Sequence, residues 1–212
     1  MDLLASGLND YLEQLAEPES ALLQKINRET QLQVLMPRML SGHYQGRVLS
    51  LLSKLIQPKC ILEIGTFTGY ATLCLAEGLS RDGIIHTIDI NEELEDRVRA
   101  YFQESKHNEQ INYHIGDALE ILPQLDIQPD LVFIDADKKN NAVYYDMIFD
   151  WLQPGAVILI DNVLWSGKVL SEEKVDKDTS LIMELNEKIK ADPRVEQVMM
   201  PIRDGLWIIR KK

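Results

Sequence analysis

The sequence predicts an α/β fold, a doubly wound and mostly parallel sheet with helices on both faces, preceded by an N-terminal helical cap. Three observations lead there. After Pro58, short apolar runs alternate with amphipathic stretches at helical spacing, the pattern of a parallel sheet covered on both sides. Five of those runs end in, or lead straight into, a carboxylate, which lines acidic side chains along the sheet edge where open α/β folds bind ligands. Before Pro58 the apolar residues recur at helical intervals.

In chain order, Leu4, Leu8, Tyr11, Leu12 and Leu15 mark a helix over Leu3–Leu15, and Pro18 opens a second helical stretch holding Leu22, Leu23 and Ile26. A third helix runs from about His43 to Ile56, with Val48, Leu51, Leu52, Leu55 and Ile56 as its apolar stripe. These helices form a cap over residues 1–57, and residues 58–212 form the sheet of the same domain. The link Met36–Gly42 carries Pro37 and Gly42, breakers that suit a loop reaching over a site. Strands are expected near 60–64, 84–89, 111–115, 131–135 and 156–160, with helices near 70–79, 92–106, 118–124 and 141–152 between them. Two last strands, near 195–201 and 205–210, flank Arg203-Asp204-Gly205, a short turn that favours an antiparallel hairpin. The polar stretch Ser166–Ser180 reads as a surface loop or lid, or as a plain solvated connection.

Composition narrows the function. A chain of 212 residues is long enough for one well-buried α/β domain. Its formal charge of -12 opposes sequence-independent binding to nucleic acid or anionic membrane, which needs clustered Lys and Arg. Residues 1–57 carry five Lys/Arg against six Asp/Glu, a net of -1, which leaves -11 with the sheet and its loops. Cys60 and Cys74 form neither a CxxC pair nor a disulfide framework and suit a reducing cytosol. No basic segment followed by an apolar core opens the chain and no long apolar run crosses it, so a soluble cytoplasmic protein is expected.

The strand ends carry the chemistry. The first reads Glu63-Ile64-Gly65-Thr66-Phe67-Thr68-Gly69-Tyr70, where Gly65 and Gly69 allow a tight turn and close approach to a ligand. The spacing is not that of a dinucleotide GxGxxG, and Glu63 opposes a pyrophosphate, so a cationic or zwitterionic adenosine ligand fits better. Asp89 closes the second strand about twenty residues on, where a carboxylate accepts ribose hydroxyls, although alone it would serve as a cap for Asn91-Glu92-Glu93. Asp117, in Ile115-Gly116-Asp117-Ala118, closes the third. The fourth and fifth end in Phe133-Ile134-Asp135-Ala136-Asp137-Lys138 and Ile158-Leu159-Ile160-Asp161-Asn162. Asp135, Asp161 and Asn162 thus offer three oxygen ligands at one edge, a set suited to a hard divalent ion such as Mg²⁺. Lys138 is expected in the first helical turn after strand four, where the helix dipole disfavours a cation unless a carboxylate or an oxyanion compensates.

Taken in order, the segment Leu62–Tyr70, Asp89, Asp117, the segment Phe133–Lys138 and Asp161-Asn162-Val163-Leu164-Trp165-Ser166-Gly167 resemble the cation-dependent small-molecule O-methyltransferases, which include the caffeoyl-CoA and catechol enzymes. The resemblance covers about residues 36–210. It implies a Rossmann-like seven-stranded sheet whose last, inserted strand is antiparallel, with S-adenosylmethionine as methyl donor. By position it implies that Glu63 and Gly65, with Thr66 and Gly69 in the same turn, line the methionine and ribose portion of the donor. Asp89 would take the ribose hydroxyls, Asp117 and Ala118 the adenine, and Met39 would lie close to the donor. Asp135, Asp161 and Asn162 would hold Mg²⁺, Mn²⁺ or Ca²⁺, Asp135 and Asp137 would also face the donor, and Lys138 would remove or hold the acceptor proton. Family members often carry an acidic residue where Gln45 stands, so Gln45 receives no role.

The implied acceptor is a catechol-like small molecule with adjacent hydroxyls, and a homodimer is expected through apolar stripes on the cap. Two other functions compete. A tRNA hydroxyuridine acceptor would be favoured by a basic groove spanning Lys25, Arg28, Arg38 and Arg47, and a non-catalytic donor sensor would not need Lys138 and the ligand triad.

Overall fold

The computed structural model describes residues 7–171 and 175–212, so the expected helical residues Leu3 and Leu4 lie outside the described residues, as does part of the expected 166–180 loop. The cap holds α1 (Leu8–Leu15), α2 (Ala21–Gln33) and α3 (Gly42–Ile56). The sheet strands are β1 (Cys60–Ile64), β2 (Ile84–Asp89), β3 (Ile111–Ile115), β4 (Leu131–Ile134), β5 (Val157–Asp161), β6 (Val195–Met200) and β7 (Leu206–Lys211). Between them run α4 (Tyr70–Ala76), α5 (Glu95–Glu104), α6 (Ala118–Ile121), α7 (Asn141–Phe149) and α8 (Lys177–Lys190).

The seven strands lie in the order β3-β2-β1-β4-β5-β7-β6, with β7 inserted antiparallel between β5 and β6 and the other six parallel. Strand order reverses between β1 and β4, so a crevice opens beyond their carboxyl ends. Period-two alternation builds two cores. Ile61, Leu131, Phe133 and Leu159 face one side with Leu23, Ile26 and Leu49 of the cap, and Leu62, Val132, Ile134, Ile158 and Ile160 face the other with Tyr145, Ile148 and Ile189. Among the described residues no helix is long and apolar enough to cross a membrane.

The structure departs from the sequence expectations in three places. First, the 166–180 stretch is not one loop. A 3₁₀ segment occupies Trp165–Leu170, and α8 begins at Lys177, where Asp176 caps it by accepting from the Thr179 backbone N at 2.9 Å. Helix α8, for which no expectation was drawn, buries Thr179, Ile182, Leu185 and Ile189 on one stripe. Second, Leu51 and Leu55 of α3 are 60% and 74% exposed, and the buried face is made of Gly46, Leu49, Ser50 and Ser53. Small residues win that face because α3 lies close on α4: a Cβ on Gly46 would stand 2.6 Å from the Tyr70 ring and 2.9 Å from Cys74 Sγ. Third, Lys138 sits in the turn that precedes α7, not in its first helical turn, so the helix end imposes less on it than expected.

Candidate active site

A cleft of about 920 Å³ opens over the carboxyl ends of β1, β2, β4 and β5. Gly65, Asp89, Asp117, Ala118, Asp135, Asp137, Lys138, Asp161, Asn162 and Met39 all line it. Glu63, Thr66 and Gly69 stand behind its wall.

One half of the cleft is shaped by the β1–α4 turn. Gly65 has φ 105°, and a Cβ there would lie 2.1 Å from the Asp135 carbonyl oxygen, so only glycine fits between the ends of β1 and β4. Gly69 has φ 77° and precedes α4, with Phe102 packed where a side chain would go. The Asp89 carboxylate accepts from Phe67 N at 2.6 Å and Asn91 N at 2.8 Å, which fixes it at the cleft edge. Asp117 caps α6 by accepting from Leu119 N at 2.8 Å. Asp137 is exposed and accepts from Asn140 N at 2.9 Å and Tyr144 Oη at 3.0 Å. Met39 ends a 3₁₀ turn, Pro37–Met39, and is 54% exposed over the cleft.

Glu63 is fully buried beneath this half. Its Oε2 accepts from Thr72 Oγ1 and, at 2.5 Å, from Thr87 Oγ1, which also meets Thr66 Oγ1. Its Oε1 has no partner among the described residues. Burial outweighs the two hydroxyl donors and, with Asp135 and Asp89 adding repulsion, pushes the carboxyl up to about 8 from 4.5. The folded state therefore holds a proton that the unfolded chain releases, and stability falls as pH rises from about 4.5 to about 8. The ligand-free Glu63→Gln variant should lose less of its melting temperature across that window than the wild type. The difference in stability should reach on the order of 4 kcal/mol at the upper end. Superimposable pH profiles of melting temperature would reject a proton held on Glu63.

The other half holds the expected ligand set. Asn162 adopts φ 61°, and this left-handed residue makes the turn by which Asp161 and Asn162 both face the cleft. Lys138 Nζ donates to Asn162 Oδ1 at 2.6 Å and to the Ala136 carbonyl at 3.1 Å, and lies 3.7 Å from Asp135 Oδ1. Asp161 accepts from its neighbour Asn162 N at 2.8 Å and from Gln45 Nε2 at 2.7 Å. Burial first, then the nearby Asp135, push Asp161 up to about 7. Burial raises Asp135 as well, against the pull of Lys138 and Arg203. Trp165 lies near Lys138 and Lys168, 5.9 and 6.0 Å from their ammonium nitrogens to its ring centre, and its indole N–H has no partner among the described residues.

Two further residues shape the site. Gln45, to which no role was given, reaches from the cap to Asp161. Arg203, read only as part of a turn, donates to the carbonyls of Leu40 and Ser41, and to that of Arg38 at 3.1 Å, tying the cap loop to the β6–β7 hairpin. A local signal for either was lacking. Of the cations that would make up a basic groove, Arg47 is held by Glu77 at 3.0 Å from both terminal nitrogens, and Lys25 by Glu104 at 2.6 Å.

Comparison with known proteins identifies the family. The O-methyltransferase family model matches residues 13–212. Caffeoyl-CoA O-methyltransferase 1 of Eucalyptus globulus is 36% identical over 179 residues, spanning 79% of this chain and 72% of that protein. The O-methyltransferase from Bacillus cereus in complex with SAH superposes with TM-score 0.89 at 30% identity, covering 97% of each chain. TomG from Streptomyces achromogenes, an O-methyltransferase of tomaymycin synthesis in complex with SAM, superposes with TM-score 0.88 at 28% identity over 97% of this chain and 96% of that one. The chain belongs to the S-adenosylmethionine-dependent O-methyltransferase family, of the caffeoyl-CoA O-methyltransferase type.

Proposed function

We propose that the chain methylates one of two adjacent hydroxyls on a catechol-like small molecule, using S-adenosylmethionine and a divalent cation such as Mg²⁺. The observation that carries this reading is the meeting, in one cleft, of Asp135, Asp161, Asn162 and Lys138 with the turn residues Gly65, Asp89 and Asp117. The cation fits the donor set. Burial first, and then the neighbouring Asp135, disfavour the ionised Asp161 and hold it up at about 7, and a dication offsets both. Asn162 Oδ1 supplies a third oxygen of the hard type. When bound, the ion would lower the pKa of a chelated hydroxyl and hold it in place.

In this reading Asp89 and Asp117 hold the ribose and adenine of the donor, and Gly65 and Asp135 face its methionine portion, with Met39 above. Glu63, Thr66 and Gly69 support that turn from behind. Asp137, tied to Tyr144, also faces the donor. The methyl carbon leaves sulfur, which keeps the bonding pair and becomes a neutral thioether, and forms its new bond to the acceptor oxygen. Lys138 Nζ takes or holds the proton which that oxygen loses. Alignment of donor and acceptor supplies much of the acceleration, with about 7–11 kcal/mol available from orientation. Trp165 forms an apolar wall for a flat ring. An RNA acceptor has less support, because Arg47 and Lys25 are engaged by Glu77 and Glu104.

The test is incubation with methyl-labelled S-adenosylmethionine and a panel of catechols, with Mg²⁺ or with chelator. O-methylation lost on chelation is the expected result. Transfer that survives stringent chelation would sink the cation, and binding of the donor without transfer to any catechol would sink the acceptor class.

A further inference from the structure

We infer that Gln45 is a positioning residue that sets the Asp161 carboxylate for cation binding, an inference that rests on the proposed cation. Gln45 Nε2 donates to Asp161 Oδ2 at 2.7 Å, and the two side chains are 0% and 4% exposed. The other Asp161 oxygen, Oδ1, accepts from Asn162 N at 2.8 Å. Each oxygen thus carries one donor, the carboxylate plane is fixed, and each oxygen keeps a further lone pair in a residue that lines the cleft.

The amide itself points to this role. Gln45 Oε1 is buried with no partner among the described residues, a cost that an apolar side chain of the same size would avoid. What the glutamine provides and an apolar residue does not is the N–H toward Asp161. The reverse orientation of the amide would press its oxygen against a carboxylate, so the donor faces Asp161. Helix α3 can hold the amide in place because it is anchored on α4. Gly46 is seated against Tyr70 and Cys74, and Ser53 Oγ donates to the Leu75 carbonyl at 2.6 Å. The hydrogen bond of the Gln45 side chain goes to Asp161, a proposed cation ligand, so its loss should separate cation affinity from donor affinity.

The experiment titrates Mn²⁺ into the wild type and into Gln45→Met, a replacement of similar volume without the donor, reading free Mn²⁺ by electron paramagnetic resonance and S-adenosylmethionine binding by calorimetry. Loss of a partner behind a metal ligand typically costs 10–100-fold in metal affinity, so Mn²⁺ should bind Gln45→Met about tenfold more weakly, while donor affinity in the absence of metal stays within about twofold. Equal Mn²⁺ affinity in the two proteins would overturn the role of Gln45 and leave the cation reading standing. Parallel loss of Mn²⁺ and donor binding would make Gln45 a packing residue and overturn the inference. Absence of Mn²⁺ binding to the wild type would overturn the cation reading, and this inference with it.

Discussion

Replacing Lys138 with alanine is expected to lower turnover by roughly 10²–10⁴, the range for loss of a proton-transfer group, while leaving S-adenosylmethionine affinity nearly unchanged. The separation follows from geometry. Lys138 Nζ is bound to Asn162 Oδ1 and the Ala136 carbonyl and faces Asp135, on the side of the cleft away from Asp89 and Asp117. Lys138→Arg should not restore activity, because a guanidinium neither gives up its proton nor fits the position of a compact ammonium. Single-turnover rates with the best acceptor, set beside calorimetric donor binding, make the comparison. Unchanged turnover in Lys138→Ala would remove the lysine from the mechanism.

Asp161→Ala is the second large effect. Removing one of two carboxylates from the ligand set should reduce chelator-sensitive transfer by about 10³-fold or more, given the several kcal/mol that a bound metal contributes to such a transition state. The fold should survive the change. Asp161 is raised to about 7 by burial and by Asp135, so above that pH its ionised form is held at a cost to the ligand-free protein. The variant should therefore melt no lower than the wild type at pH 8, and its relative stability should improve as pH rises from about 4 to about 7. Full activity under stringent metal removal would refute the ligand set, and a collapsed melting temperature at pH 8 would refute the assigned electrostatics.

Much of this site is readable from the chain because parallel strands end where ligands bind. Asp89, Asp117, Asp135 and Asp161 each follow an apolar run, and the structure places all four at one cleft. Gly65 and Gly69, expected to allow a tight turn, carry positive φ. The hairpin around Arg203-Asp204-Gly205 likewise follows from its turn residues, with β6 and β7 antiparallel on either side. Helix α8 escaped because Lys and Glu interleave its narrow stripe of Thr179, Ile182, Leu185 and Ile189, and because its cap, Asp176, lies inside a polar stretch that resembles a loop. Leu51 and Leu55 misled for the opposite reason: apolar residues sit on the exposed side of α3 while glycine and serines meet α4. Gln45 and Arg203 act across 116 and 163 residues of chain, on Asp161 and the Leu40 carbonyl, distances over which local pattern carries no information.

Arg203 grips the loop above the cleft through main-chain oxygens of Arg38, Leu40 and Ser41, and a carbonyl is the same on every residue. The latch is therefore indifferent to what those residues are. The exposed side chain at 38 can change while the loop keeps its place, whereas Leu40 is held in the core and Met39 is proposed to face the donor, so a change of acceptor preference at 38 need not unsettle the donor pocket below. In such a scaffold, selectivity and chemistry can be inherited separately.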